Sequence, residues 1–259
     1  MGVCVPLGMS IKPLKHLGQN FLTDQSVIDR IVDSIEADPR LPLVEIGPGT
    51  GALTGQLRMR YPRYRAIEID TRSVEHLQKQ HSGIDILQMD VLDPRWIDTM
   101  PSDERVAVIG NLPYYITSPI IFLLIDRRER FSEAVIMVQK EVAERLVATP
   151  GHREYGILSV QVQLAAHVEL LFTVPNTAFH PVPKVESAVL RIVFDKPRPD
   201  VDPEHLRRVI RQAFSQKRKM LRNTLAPMLP ADKSLPGWDL SRRAETLSLE
   251  EFVALAKTI

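Results

Sequence analysis

The stretch LPLVEIGPGTGALT, Leu41 to Thr54, decides the architecture. Its first half is apolar and reads as a buried strand; it runs straight into Gly47, Gly49 and Gly51 and then into a helical pattern from about Ala52. Glycines between a strand and a helix let the backbone turn sharply and let a ligand come close to the main chain. Outward from this point, YRAIEID, IDILQMDVLD, RVAVIG and EAVIMVQ are further strand candidates, with helix-like segments such as TRSVEHLQKQH and TSPIIFLLIDRRE between them. Strands alternating with helices predict an α/β fold, a mostly parallel sheet with helices on both faces. VELLFTV and SAVLRIVF are separated by a proline-rich loop instead of a helix, which predicts an antiparallel edge to a seven-stranded sheet.

Ahead of the glycine turn, SVIDRIVDSIEA puts Val27, Ile28, Ile31, Val32 and Ile35 on one helical face. After DKPRPDVDP the composition changes. Asp202 and Pro203 suit the N-cap and first position of a helix, and Leu206, Val209, Ile210, Ala213 and Phe214 form its apolar stripe. LSLEEFVALAKTI closes the chain as another helix. Residues 1–199 are therefore expected to form the α/β domain, with an N-terminal segment that contributes to the ligand site. Residues 200–259 form a small all-α domain.

The formal net charge is +1 over 259 residues, and 44% of them are hydrophobic, as in an ordinary globular protein. That charge hides an asymmetry, because residues 201–259 carry +4. Arg207, Arg208, Arg211, Lys217, Arg218, Lys219 and Arg222 follow one another with no intervening acid. Such a block is either a solvated face or a contact for RNA phosphates. Cys4 is the sole cysteine, which excludes disulfides, cysteine-ligated zinc and a CxxC centre, and fits a reducing cytoplasm. The start of the chain lacks a signal-peptide pattern, and PIIFLLI is too short to span a bilayer. The scattered histidines suggest no metal site. The expectation is a cytoplasmic protein, monomeric, with no membrane or metal partner.

Chemistry concentrates at the strand ends. Glu68 closes the next strand candidate 21 residues after Gly47, the spacing of a carboxylate that binds ribose hydroxyls. Asp90, in LQMD, is read as a third acidic strand end, suited to an adenine amino group. The spacing E-x-G-x-G-x-G differs from the dinucleotide GxGxxG and resembles motif I of S-adenosylmethionine-dependent methyltransferases. At the fourth strand end stands NLPY, Asn111 to Tyr114, which resembles motif IV of methyltransferases acting on ring-conjugated amines. The lone pair of such an amine is delocalised into the ring. The Asn111 side-chain oxygen and the Leu112 carbonyl can accept its two N–H bonds and leave the lone pair facing a sulfonium methyl. Pro113 fixes the turn and Tyr114 offers a ring for stacking. The electrophile is already activated, so orientation and electrostatics carry the catalysis and no general base is required. A duplex base must be flipped out to reach such a site. Phe179, in FHPVPKVESAVL, is a candidate for the second face of the base, and Lys184 is either a phosphate contact or surface.

Taken together, KHLGQNFL, EIGPGTGALT, IEID, MDVL, NLPYYITSPI, QKEVAERLVATPG, YGILSVQVQ, FHPVPKVESAVLRI and AFSQKRKMLRNTL resemble the bacterial small-subunit ribosomal RNA adenine dimethyltransferase family over nearly the whole chain. The resemblance implies a Rossmann-like S-adenosylmethionine-dependent domain with a helical C-terminal domain. It also implies N6,N6-dimethylation of two adjacent adenosines in the 3′-terminal hairpin loop of 16S rRNA within the small subunit, during its biogenesis. Carried over motif by motif, it implies cofactor contacts at Asn20, Leu22, Gly47, Glu68, Asp90 and Asn111, with Gly49 in the same glycine loop. Two alternatives stay open. The related large-subunit rRNA methyltransferases of macrolide resistance tend towards NIPY at motif IV and usually lack FxPxPKVxSAVL. A non-enzymatic RNA-binding factor on the same fold would be expected to have lost NLPY or the glycine loop.

Overall fold

A computed structural model describes residues 11–14, 17–231 and 234–259; Cys4 lies outside them. In chain order, a short strand β1 (Phe21–Leu22) leads into helix α1 (Gln25–Asp33), strand β2 (Leu43–Ile46) and helix α2 (Thr54–Arg60). β3 (Tyr64–Glu68), α3 (Thr71–Gln80), β4 (Ile86–Gln88), α4 (Arg95–Asp98), β5 (Val106–Asn111), α5 (Thr117–Asp126) and β6 (Phe131–Gln139) continue the alternation. α6 (Lys140–Val147), α7 (Ile157–Ala165), β7 (His167–Val174), β8 (Phe179–His180) and β9 (Ser187–Val193) complete the α/β part. α8 (Pro203–Ala213), α9 (Leu221–Thr224) and α10 (Leu249–Thr258) follow.

Seven strands form one sheet in the order β4-β3-β2-β5-β6-β9-β7. The first five are parallel, and β9 pairs antiparallel with both β6 and β7, as the missing crossover helix predicts. Strand residues alternate between two cores, following the two-residue period of a pleated strand. Val106, Val108, Ala134, Ile136, Leu190 and Ile192 face a cluster built with α4, α5 and α6. Leu43, Ala107, Ile109, Val135, Met137 and Val189 face the opposite one, built with α1 and α2. Burial on both faces is why these strands read as continuous apolar runs. Val27, Ile28, Ile31, Val32 and Ile35 are all buried on the second side.

Caps set where the helices begin. Asp24 accepts from the N–H groups of Ser26 and Val27, and Asp70 from that of Arg72. Asp202 accepts from His205 N–H ahead of Pro203, and Ser248 with Glu251 forms a capping box. The C-terminal helices do not make a core alone. Leu206, Val209, Ile210, Leu221, Phe252 and Leu255 pack with Ala148, Tyr155 and Val160, so α7 serves both parts of the chain.

Candidate active site

Strands β4, β3, β2 and β5 run parallel and deliver their C-terminal ends to one rim of the sheet, the rim at which open α/β sheets bind ligands. A cavity of about 1190 Å³, counting its open mouth, lies there. It brings together Asn20, Leu22, Gly47, Gly49, Glu68, Asp90, Asn111, Leu112, Pro113 and Tyr114. The turn after β2 is left-handed at Gly47, Gly49 and Gly51, with φ of +64°, +57° and +85°, a region that side chains rarely adopt. At Gly51 a Cβ would also stand 2.7 Å from the Leu77 side chain.

Glu68 is the last residue of β3 and is 6% exposed. Its Oε2 accepts from the Gly49 N–H at 3.1 Å, and its Oε1 from those of Ile69 and Asp70 at 2.9 Å each. Burial raises its pKa against the lowering effect of these three bonds, and the nearby Asp70 charge adds to the rise. Two carboxylate oxygens offer about four lone-pair sites, so capacity for a ligand hydroxyl remains. Asp90 departs from the strand-end reading. β4 stops at Gln88, and Asp90 is an exposed loop residue whose Oδ1 accepts from Leu92 N–H at 2.9 Å. It still lines the cavity.

One wall is the segment that carries Asn20 and Leu22. β1 pairs with β8, placing Leu22 opposite Phe179. Gln19 anchors the segment to the β3–α3 turn: its Nε2 donates to Asp70 at 2.8 Å, and its Oε1 accepts from Leu14 N–H. Asp70 also holds Arg72, which reaches back to the Lys12 carbonyl. Gln19 and Asp70 went unnoticed in the sequence because nothing local marks a contact across 51 positions.

Asn111 ends β5, and its Nδ2 donates to the Asn20 carbonyl at 3.2 Å. With the nitrogen committed, the amide oxygen accepts no hydrogen bond among the described residues. The Leu112 N–H donates to the Met137 carbonyl, while the Leu112 carbonyl accepts no bond among the described residues. Two free acceptors thus stand on adjacent residues at the cavity wall. The Pro113 carbonyl accepts from Ile116 N–H and the Thr117 hydroxyl, fixing the turn into α5. Tyr114 is half-buried, and its hydroxyl pairs with that of fully buried Ser187 at 2.8 Å, which holds the ring in place. Burial raises the Tyr114 pKa.

Phe179 is a correction. It is 2% exposed, sits in the core cluster with Leu22, Met137 and Val189, and does not line the cavity. The pairing of β8 with β1 turns the ring inward, so it presents no face to a base. Phe21 and Tyr115 are the other aromatics lining the cavity; Tyr115 is 58% exposed, beside Tyr114 and against Gly18.

Glu45, the first residue of E-x-G-x-G-x-G, is a further site residue to which the sequence reading assigned no role. It lines the floor of the cavity and is 2% exposed. Its Oε2 accepts from the Tyr64 hydroxyl at 2.5 Å and from Thr54 at 2.8 Å, and no hydrogen bond to Oε1 is found among the described residues. Burial pushes the Glu45 pKa up to about 7, and burial together with the Glu45 charge drives that of Tyr64 upward. Carboxylates therefore dominate the electrostatics, and no histidine, lysine or arginine lines the cavity among the described residues. No group of residues suited to a metal ion is found among the described residues, and no helix there is long and apolar enough to cross a membrane.

The seven cations of the basic block are divided over α8, the loop after it and α9. Arg207 pairs with Asp126 at 2.8 Å, Arg208 contacts the His205 ring, Lys217 donates to the Arg153 carbonyl and Arg222 to the Met220 sulfur. Arg211, Arg218 and Lys219 are exposed and form no side-chain hydrogen bond or ion pair among the described residues. Lys184 is exposed as well.

Fold and rim together define a Rossmann-like methyltransferase. Residues 12–259 match the family model described as ribosomal RNA adenine dimethylase. The chain is 46% identical to the ribosomal RNA small subunit methyltransferase A of Salinibacter ruber, over 98% of its own length and 88% of that protein's. It is 45% identical to the Desulfitobacterium hafniense protein of the same name, over 96% and 92%. Among solved structures, a dimethyladenosine transferase from Plasmodium falciparum superposes with a TM-score of 0.75 at 26% identity, over 90% of this chain and 95% of the other. The 23S rRNA methyltransferase ErmE gives 0.70 at 26%, over 92% and 99%. The chain belongs to the ribosomal RNA adenine dimethylase family, and within it to the small-subunit methyltransferase A group.

Proposed function

We propose that the protein transfers methyl groups from S-adenosylmethionine to the N6 amines of two adjacent adenosines in the 3′-terminal hairpin loop of 16S rRNA, within the assembling small subunit. The observation that carries the reading is the pair of free acceptors, Asn111 Oδ1 and the Leu112 carbonyl, at the end of β5. An amine has two hydrogens to give, and holding both leaves its lone pair as the only direction for attack.

The residues present fit the cofactor. The left-handed glycine turn gives a close main-chain approach, Glu68 and Asp90 supply acceptors for ribose and adenine, and the unpaired oxygen of Glu45 suits a cationic end of the ligand. When bound, S-adenosylmethionine supplies a methyl group on a positively charged sulfur. Everything else falls to the chain. Asn20 holds the Asn111 amide so that its oxygen faces outward. Pro113 and the α5 turn keep Leu112 from rotating away. Tyr114, braced by Ser187, gives the flipped adenine a fixed ring to lie on, and Tyr115 replaces Phe179 as the candidate for its other face. After transfer the extra proton leaves to water. Arg211, Arg218 and Lys219, exposed and without side-chain partners among the described residues, are the first candidates for rRNA phosphates.

The test incubates purified protein with labelled S-adenosylmethionine and small subunits that lack the modification, then maps the label. Two dimethylated adjacent adenosines near the 3′ end of 16S rRNA are expected. Label confined to large-subunit rRNA, or no label at all, would overturn the reading.

A further inference from the structure

A second pocket lies far from the rim. α5 leaves the C-terminal end of β5 and runs back beneath the sheet, so its last residue, Asp126, and the turn at Arg128 stand at the opposite end of the parallel strands. There α5, α7, the 194–202 linker and the start of α8 enclose a space of about 530 Å³, counting its mouth. Arg128, Arg198, Arg207, Asp126 and Gln161 line it.

Two of these residues are unusually placed. Arg128 is 7% exposed, yet its guanidinium makes one long bond, from Nη1 to the Leu164 carbonyl at 3.4 Å, and stands 3.9 Å from Glu129. Glu129 is itself taken up by Arg198, and Asp126 by Arg207. Arginine stays charged in proteins, and a buried charge is ordinarily paired. Burial and the neighbouring Arg198 lower the Arg128 pKa, as expected for a cation short of anions. Gln161 is 5% exposed, and its Nε2 has no partner among the described residues although almost every buried amide has one. Arg207 is paired by Asp126 and Glu204 and Arg198 by Glu129, while the buried Arg128 is left with its 3.9 Å approach to the already engaged Glu129.

We propose that this seam between the α/β part and the C-terminal helices is an anion site that takes a phosphate group, held by Arg128, Arg198 and Gln161. These three donors come from a turn, a linker and a helix, so they converge from different sides. A phosphate offers acceptor oxygens in several directions, whereas a carboxylate is planar and suits a single guanidinium fork. The phosphate is either a free ion or a phosphodiester of the rRNA. A ligand there bridges the linker and both parts of the chain, and so fixes their relative position.

The probe is inorganic phosphate, added to the full chain at constant ionic strength against chloride, with thermal unfolding and calorimetry as readouts. A ligand that binds only the folded state raises the Tm, and phosphate also stabilises proteins non-specifically, so the informative quantity is the difference between variants. Arg128→Gln should weaken phosphate binding by roughly tenfold or more, the value of one charge-assisted hydrogen bond. Gln161→Leu and the exposed Arg198→Gln should do the same, so the test survives poor folding of any one variant. Equal phosphate responses in wild type and all three variants would overturn the site. The source is read separately from the salt dependence of small-subunit binding. A slope reduced by about 0.7–0.9 in Arg198→Gln identifies an rRNA phosphate, and an unchanged slope with phosphate binding intact identifies a free ion.

Discussion

The side-chain nitrogen of Asn111 donates to the main-chain oxygen of Asn20, 3.2 Å away and 91 positions earlier in the chain. This bond joins two motifs, LGQNFL and NLPY, that neither periodicity nor spacing connects. It decides which end of the Asn111 amide is free, and so turns a strand-end asparagine into an acceptor aimed at the cavity. On the proposed mechanism the N-terminal segment would serve the substrate side as well as the cofactor side.

Glu68 has two tasks, and a single substitution should expose both. Glu68→Ala removes the acceptor for Gly49, Ile69 and Asp70 N–H groups and, with it, the proposed ribose contact. Cofactor affinity should fall by about 1–3 kcal/mol, the range for losing a charged hydrogen-bond partner, and the Tm should fall with it. Calorimetry and thermal unfolding on the same sample measure the two effects. Unchanged affinity with a lowered Tm would leave Glu68 a purely structural residue.

Glu45 makes stability depend on pH in a definite direction. Its folded pKa, about 7, is above the ordinary 4.5, so the folded state holds a proton that the unfolded chain releases between those values. Stability from this group is full below pH 4.5 and declines up to about pH 7, by on the order of 3 kcal/mol. Glu45→Gln should flatten that decline in denaturant titrations. The same ionisation makes the cavity more negative, so affinity for the cationic cofactor should rise through pH 7. The single-turnover rate at saturating cofactor should stay nearly flat above neutral pH, since no catalytic base is involved.

Tyr114 and Phe179 should separate cleanly. Tyr114→Ala should weaken capture of the adenine by about 1–3 kcal/mol, the usual worth of base stacking, with a modest effect on folding. Phe179→Ala instead opens a hole in the core and should cost about 3–5 kcal/mol of stability. Denaturant unfolding and rRNA binding on both variants check this; full stability in Phe179→Ala would return that ring to the substrate site.

In the basic block, the structure ranks the cations. Neutralising Arg211, Arg218 and Lys219 should flatten the salt dependence of small-subunit binding by about 0.7–0.9 per lost phosphate contact. Neutralising Arg207 should instead loosen the α5–α8 contact through Asp126 and lower the Tm. An unaltered slope in the triple variant would assign the block to solvated surface.

Much of this was legible beforehand. The central strands are apolar runs buried on nearly every residue, and Glu68 and Asn111 stand where β3 and β5 stop. Legibility failed where partners come from distant segments. Phe179 looked like a free aromatic because its burial depends on the two-residue pairing of β8 with β1. Asp90 looked like a strand end because IDILQM reads as strand up to Met89, while the last paired residue of β4 is Gln88. Glu45 opens E-x-G-x-G-x-G, but its raised pKa was not legible there, since it comes from burial beneath the cavity, a property of the folded sheet and not of the local sequence. Arg128 gave none either, because a charge in RRERF reads as surface until α7 and the linker close over it.

The most direct test of the orientation mechanism is the Asn111→Ala variant, measured for single-turnover methylation and for small-subunit binding in the same preparation. Holding the amine matters mainly in the transition state, so the expected result is a large loss of rate with rRNA affinity little changed. Methylation at the wild-type rate by Asn111→Ala would contradict it.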